Sequence, residues 1–254
     1  MINTETNGPP SAQEAVIDIT DLKKNFGSQE VLKNISLRLL KNENLVVLGK
    51  SGSGKSVLIK CIVRLLNSDG GSIDVLGSKV GTLNDKELAE MRKKIGFLFQ
   101  SGALYDSMTV KQNLEFPLSR IRKDLSEKER GEKVKEVLEN VGLADALNKM
   151  PSQLSGGMRK RISLARTIVV DPLIMLYDEP TTGLDPVTSD EISLLINDVK
   201  KKYKTSSIII THDIECARMT ADRLIMLKDG EVYSEGTIGE FDNSTDPLLK
   251  SFFK

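Results

Sequence analysis

Gly49-Lys50-Ser51-Gly52-Ser53-Gly54-Lys55-Ser56 stands between a short apolar run, Leu45-Val46-Val47-Leu48, and a stretch in which Val57, Leu58, Ile59, Ile62 and Leu65 recur at helical spacing. A buried strand, a glycine-rich turn and a helix in that order form the setting in which G-x-x-x-x-G-K-[ST] binds phosphate. Gly49, Gly52 and Gly54 let the backbone curl with its N–H groups inward, and the helix that follows turns its partial positive end toward the same anion. Lys55 is placed to reach the β- and γ-phosphates of a nucleoside triphosphate, and Ser56 to offer its hydroxyl to Mg²⁺. About a hundred positions on, Leu154-Ser155-Gly156-Gly157-Met158 opens a second helical stretch, Arg159 to Val170. Ser155 and the two glycines there make a second anion pole at a helix start.

The acidic half is Leu173-Ile174-Met175-Leu176-Tyr177-Asp178-Glu179. A largely aliphatic strand ends in two carboxylates that an apolar interior accepts only with partners. Asp178 reads as the carboxylate on the Mg²⁺ side. Glu179 reads as the general base that polarises an attacking water, a role worth roughly 10²–10⁴-fold in rate. His212, the only histidine, follows the apolar run Ser207-Ile208-Ile209-Ile210-Thr211. The lack of a second histidine and of paired cysteines nearby argues against a metal role. The carboxyl end of a strand is where open α/β sheets place ligands, and His212 is read as a γ-phosphate contact.

The elements that must position these residues alternate between β and α patterns. Val16–Thr20 and Asn34–Leu40 alternate like strands with one buried face, and Ile225 to Val232 reads as a hairpin turning at Asp229-Gly230. Between Gln100 and Gly156 the β signals vanish. There Ser126-Glu127-Lys128-Glu129 forms a capping box, Val134, Val137, Leu138 and Val141 follow at i, i+3, i+4 and i+7, and Gly142 stops the helix. After Gly156 the βα alternation resumes.

Gly49–Ser56, Gln100, Leu154–Met158, Asp178-Glu179, Thr182-Gly183-Leu184-Asp185 and His212, in this order, resemble the ATPase subunit of an ABC transporter, from about Val16 to about Gly236. The resemblance implies an α/β fold, a P-loop NTPase core with an antiparallel β subdomain and a helical insertion at roughly 101–165, within one ATPase domain over 16–254. It implies Mg²⁺-ATP hydrolysis in a head-to-tail homodimer that sandwiches two ATP molecules. Each nucleotide would contact Lys55 of one chain and Ser155, Gly156 and Gly157 of the other, with Asp185 crossing the interface. Gln100 would join Ser56 and Asp178 at Mg²⁺ and link the γ-phosphate to the transport partner, and Phe26 would stack on adenine; from its sequence position a core phenylalanine fits Phe26 equally. Met158 departs from the glutamine of most members, and ATP binding is expected to survive the change because Ser155 and the helix start are intact. Together with Ser101–Val110, Glu115-Phe116-Pro117-Leu118 and Tyr177-Asp178-Glu179-Pro180, Met158 resembles the ATPase of Mla/Mce-type phospholipid transporters of bacteria with outer envelopes. That subgroup implies phospholipid cargo, an integral membrane permease, and a peripheral position on the cytoplasmic face of the inner membrane.

Composition excludes several other readings. Lys plus Arg equal Asp plus Glu at 36 each, so no net field draws the chain to nucleic acid, and 4% aromatic content gives no stacking platform for single strands. Met1 to Ala15 is polar and is expected to be mobile and to carry no secretion signal. No apolar run reaches the roughly 18–20 residues that span a bilayer. Cys61 and Cys216 lack metal spacing and are expected to stay reduced. The stretch Tyr105 to Leu118 is expected to meet a permease, and Phe252-Phe253 to dock on a subunit surface. A stand-alone ABC ATPase serving a soluble scaffold, such as an iron–sulfur assembly protein, would share every motif. A small-molecule P-loop kinase would have no use for Ser155-Gly156-Gly157.

Overall fold

The computed structural model describes residues 14–253. The central sheet has strand order β10-β9-β3-β8-β7-β6, built from β3 (Asn44–Leu48), β6 (Ile95–Leu98), β7 (Ile174–Asp178), β8 (Ser206–Thr211), β9 (Arg223–Lys228) and β10 (Glu231–Gly236). All its pairings are parallel except the β9–β10 hairpin, which turns at Asp229-Gly230 as its sequence predicts. Strands covered on both faces read as continuous apolar runs. Strand β3 shows why: Leu45 and Val47 enter one hydrophobic cluster, while Val46 and Leu48 enter another on the opposite face.

On the side of Leu45 and Val47 lie α1 (Lys55–Ile62), α2 (Asp85–Lys93) and a second sheet of order β2-β1-β4-β5. Its strands are β1 (Ala15–Phe26), β2 (Gln29–Leu40), β4 (Gly70–Val75) and β5 (Ser78–Lys79), antiparallel throughout. Strands β1 and β2 outrun the expected Val16–Thr20 and Asn34–Leu40. The register shifts between Ile19 and Leu22 around Asp21, whose φ is 51°, so the buried positions change parity and simple alternation ends there although the strand continues. Ala15 pairs with Leu40, and the Glu14 carbonyl accepts the Lys41 N–H at 2.9 Å, so both join this sheet. The rest of the segment expected to be mobile lies outside the described residues.

The opposite face carries α3 (Val110–Ile121), α4 (Glu127–Asn140), α5 (Gly156–Ile168), α6 (Pro186–Tyr203) and α7 (Ile214–Thr220). The Ser126 capping box forms, and α4 ends before Gly142 as its sequence predicts. Helix α5 begins three residues earlier than its apolar pattern, because Ser155 caps it by accepting the Met158 N–H. The chain closes with α8 (Ile238–Asp242) and α9 (Pro247–Phe253). Among the described residues no helix is long and apolar enough to cross a membrane. Cys61 and Cys216 are free and buried, and burial pushes both thiols up to about 11.

Asn113 fastens the loop ahead of α3. Its amide accepts the Tyr105 N–H at 2.8 Å and donates to the carbonyls of Tyr105, Met108 and Thr109 at 3.0–3.1 Å, with the side chain fully buried. Asn113→Leu roughly keeps the volume but takes their partner from the Tyr105 N–H and the Met108 carbonyl, at about 1–3 kcal/mol for each one left unpaired, while the Tyr105 and Thr109 carbonyls keep the N–H groups of Met108 and residue 113. The expected result is a clear fall in the denaturant midpoint of the folded chain; an unchanged midpoint would show that the loop is held by other contacts.

Candidate functional site

The parallel register decides where the chemistry meets. Leu48 pairs with Thr211, and Ile210 pairs with Asp178, so β3, β8 and β7 end side by side. The loop Gly49–Gly54, His212 and the pair Asp178-Glu179 leave those three ends, and Gln100 lies two residues beyond β6. A cleft of about 1040 Å³ opens there, lined by Lys50, Ser51, Gly52, Gly54, Lys55, Ser56, Gln100, Glu179 and His212.

Gly54 caps α1 in the left-handed region at φ 97°, where a Cβ would stand 2.7 Å from Leu32 Cδ2. No other residue fits that turn without moving the antiparallel sheet. Lys55 is buried, and its Nζ donates to the carbonyls of Gly49 and Lys50 at 2.7 and 3.2 Å. Desolvation lowers its pKa, opposed by Glu179 and Asp178. The Ser53 hydroxyl is buried without a partner, as expected of a loop shaped around another group.

Ser56 Oγ donates to Asp178 Oδ1 at 2.8 Å. This places two hard oxygens together, the donor type Mg²⁺ takes alongside substrate phosphates. Among the described residues no cluster of three or more His, Cys, Asp or Glu stands ready as a protein-only metal cage. The residues therefore fit a cation shared with a phosphate ligand.

Glu179 sits in the left-handed region at φ 51° and is almost wholly buried. Its carboxylate meets Lys55 Nζ at 3.8 Å, Thr182 Oγ1 at 3.2 Å and His212 Nδ1 at 2.8 Å. His212 was read as a phosphate contact; the structure adds a direct bond to the carboxylate beside it. Thr182, a part of this network, stood in the sequence within Thr182-Gly183-Leu184-Asp185 but without a role of its own, and Val31, which lines the cleft, carried no sequence signal.

Three expected site elements lie outside the cleft. Ser155, Gly156 and Gly157 are exposed or half-buried, and Gly157 packs closely on the first turn of α6: a Cβ there would meet Thr188 Cγ2 at 2.6 Å. Asp185 caps α6, accepting from the Thr188 N–H and hydroxyl at 3.0 and 2.6 Å, bonds that hold its carboxyl below the usual range. Phe26 is 47% exposed at the end of β1, with Lys24 Nζ 5.3 Å from its ring centroid, so it is not a core phenylalanine.

Phe252-Phe253 was expected to dock on a subunit surface. Within this single chain α9 packs beside α8. Phe253 meets Phe241 edge-on at 5.6 Å, while Ser251 and Phe252 line the cleft beside Lys50. Tyr105 is 45% exposed and packs edge-on with Phe116 at 5.2 Å, at the stretch expected to meet a permease.

The ABC transporter family profile matches residues 32–182. This chain belongs to the ABC transporter family. As a member it is an ATPase, the ATP-binding subunit of a transporter. The chloroplastic protein TRIGALACTOSYLDIACYLGLYCEROL 3 of Arabidopsis thaliana is 36% identical over 96% of this chain and 75% of its own length. The methionine import ATP-binding protein MetN of Rhizobium johnstonii is 37% identical over 92% of this chain and 64% of its own length. Among solved structures, a dimeric ATP-binding cassette in a post-hydrolysis state bound to ADP and Pi superposes with a TM-score of 0.80 at 34% identity, covering 87% of this chain and 98% of that one. CbiO1 of Clostridium perfringens, part of the ABC transporter complex cbiONQ, gives a TM-score of 0.84 at 27% identity, with 94% of each chain covered. The ABC ATPase fold expected from the motifs is therefore shown.

His212→Ala removes the closest partner of the Glu179 carboxylate without touching the phosphate loop. It should lower kcat roughly tenfold or more while nucleotide affinity shifts by less than about threefold. Steady-state ATPase rates beside equilibrium binding of a fluorescent ATP analogue check this, and equal losses in both would make His212 a binding group alone.

Proposed function

We propose that two copies of this ABC ATPase pair head to tail around two ATP molecules and drive a membrane permease, with phospholipid of the bacterial envelope as cargo. The observation that carries the dimer is the division of the site within one chain. The cleft gathers Lys50–Gly52, Gly54–Ser56, Gln100, Glu179 and His212, while Ser155–Gly157 and Asp185 stand elsewhere, exposed or half-buried. A second copy related by a two-fold axis would bring its Ser155–Gly157 over the first copy's phosphate loop, and the reverse. The dimeric cassettes among the solved relatives support this arrangement.

Within each cleft, the N–H groups of Gly49–Gly54 and the start of α1 bind the phosphates, and Lys55 faces the β- and γ-phosphates. Mg²⁺, held through Ser56, Asp178 and Gln100, would neutralise charge on the β- and γ-oxygens. Glu179 orients the attacking water and accepts its proton. His212 holds that carboxylate through Nδ1, which leaves its other ring nitrogen for a γ-phosphate oxygen. Phe26 provides a face for the adenine ring.

Residues 101–165, which contain α3, α4 and the start of α5, form the subdomain that answers to the permease, with Tyr105 and Phe116 at its surface. The chain would then work as a peripheral subunit on the cytoplasmic face of the inner membrane. Phospholipid is supported by the stretches Ser101–Val110, Glu115–Leu118 and Tyr177–Pro180, and by a relative named for the lipid trigalactosyldiacylglycerol. Relatives named for methionine import favour an amino acid as the second reading.

Glu179→Gln should bind ATP at near wild-type affinity, stall as a closed dimer and lose at least about 10²-fold in kcat, whereas Lys55→Ala should lose affinity itself. Sedimentation with ATP and steady-state rates decide it; a Glu179→Gln enzyme at the wild-type rate removes Glu179 from the role of base. The cargo is tested by co-purifying tagged Glu179→Gln from native membranes in mild detergent with ATP, then mass spectrometry of proteins and lipids. A multi-span permease with enriched phospholipid is the expected result. A permease without lipid, paired with a methionine-binding protein, favours the amino acid, and a soluble scaffold alone overturns the transporter partner.

A further inference from the structure

Lys160 lies five residues past Ser155 on α5 and is only 6% exposed. Its Nζ donates to the main-chain carbonyl of Gln100 at 2.9 Å and to that of Glu179 at 3.3 Å. Burial lowers its pKa, with Asp178 and Glu179 opposing from a distance. An ammonium buried against carbonyls alone is a costly way to fill space, since an apolar side chain of that length would pack there without desolvation. What Lys160 supplies is a connection.

The two carbonyls belong to different parts of the site. Gln100 opens the loop that runs from β6 to α3, and Glu179 ends the β7 run that carries the catalytic carboxylate. Further contacts fasten the same loop to the same face of α5 at three-residue steps. A Cβ on Gly102, which has φ 73°, would lie 2.6 Å from Ser163 Oγ, so loop and helix are in close contact there. Arg166 Nη1 donates to the Ala103 carbonyl at 2.6 Å, and its guanidinium lies 5.5 Å from the Tyr105 ring centroid. Residues 100–103 and α5 are thus held as one piece. Lys160, at the end of that row, also reaches Glu179.

We propose that Lys160 is a positioning residue: through its paired carbonyl contacts it ties the placement of residues 100–103 and α5 to the placement of the Glu179 carboxylate. A shift of that piece away from β7 breaks or stretches the bond to the Glu179 carbonyl. The left-handed backbone at Glu179 then loses one of its fixings, and the carboxylate loses its aim at the water. Lys160 does not line the cleft and bonds only to main-chain carbonyls, so its effect falls on turnover and not on binding. The proposal rests on Glu179 as the base of the ATPase reaction.

The test uses the full chain and compares wild type, Lys160→Met, Lys160→Gln and Glu179→Gln. Met matches the four-atom apolar stem of Lys160 and ends where the ammonium would begin, without donors. Gln restores an uncharged NH₂ donor with two N–H groups, one bond short of the Lys160 Nζ position. Steady-state kinetics, equilibrium binding of a fluorescent ATP analogue and thermal melting are read on each. The expected result is a fall in kcat of about tenfold or more for Lys160→Met, with nucleotide Kd within about threefold and a melting temperature no lower than wild type. Lys160→Gln should return kcat to within about threefold of wild type. A wild-type kcat in Lys160→Met overturns the proposal. So does a parallel loss of kcat, affinity and melting temperature that Lys160→Gln does not repair, because that pattern is a packing role. If Glu179→Gln turns over at the wild-type rate, the base assignment itself falls, whatever the Lys160 variants do.

Discussion

The site depends on the parallel register of three strands. Leu48, Thr211 and Asp178 finish β3, β8 and β7 at nearly the same level, and the residues that follow them project from one edge. A slip of one residue in any pair would turn a side chain of the candidate site to the opposite face of the sheet, since side chains alternate along a strand. What prevents the slip is burial on both faces. Val46 and Leu48 pack into one core and Leu45 and Val47 into the other, so a shifted β3 would misplace four large apolar groups at once. Two cores, each filled by every second residue of the same strands, lock the sheet more firmly than one could.

Against this fixed edge the charges are arranged as a mutual constraint. Lys55 and Lys160 are buried cations, and Asp178 and Glu179 buried anions, within one small volume. Lys55 is tethered by its own loop, Asp178 by the Ser56 hydroxyl, and Glu179 by His212 and Thr182. Each group is thereby oriented before a nucleotide arrives, which is the condition for electrostatic catalysis to cost little reorganisation.

Much of this was legible because the local signals are strong. The apolar runs before Gly49, Asp178 and His212 could only be buried strands, and the hairpin at Asp229-Gly230 and the capping box at Ser126 are turn and helix signals with a single meaning. The extension of β1 was hidden by the bulge at Asp21, which breaks the two-residue period that identifies a strand. Lys160 was hidden for a different reason: it occupies the same stripe of α5 as Leu164 and Ile168, and a lysine in such a stripe shows its purpose only when the backbone carbonyls it meets are known. Phe252 and Phe253 announced burial but not where, because a terminal helix can fold onto its own chain or onto another, and the choice is made by tertiary partners such as Phe241 and Arg218.

That choice has an effect beyond packing. Ser251 and Phe252 form part of the wall of the cleft, while Arg218 ties the end of α8, at Asp242, to the end of α9, at the Phe253 carbonyl. The last turn of the described chain is therefore a component of the cleft wall in which the ATP site is proposed. Changes in the tail can reshape that chamber without altering any residue of the phosphate loop, so the far end of the sequence is free to vary the ATPase where its motifs cannot.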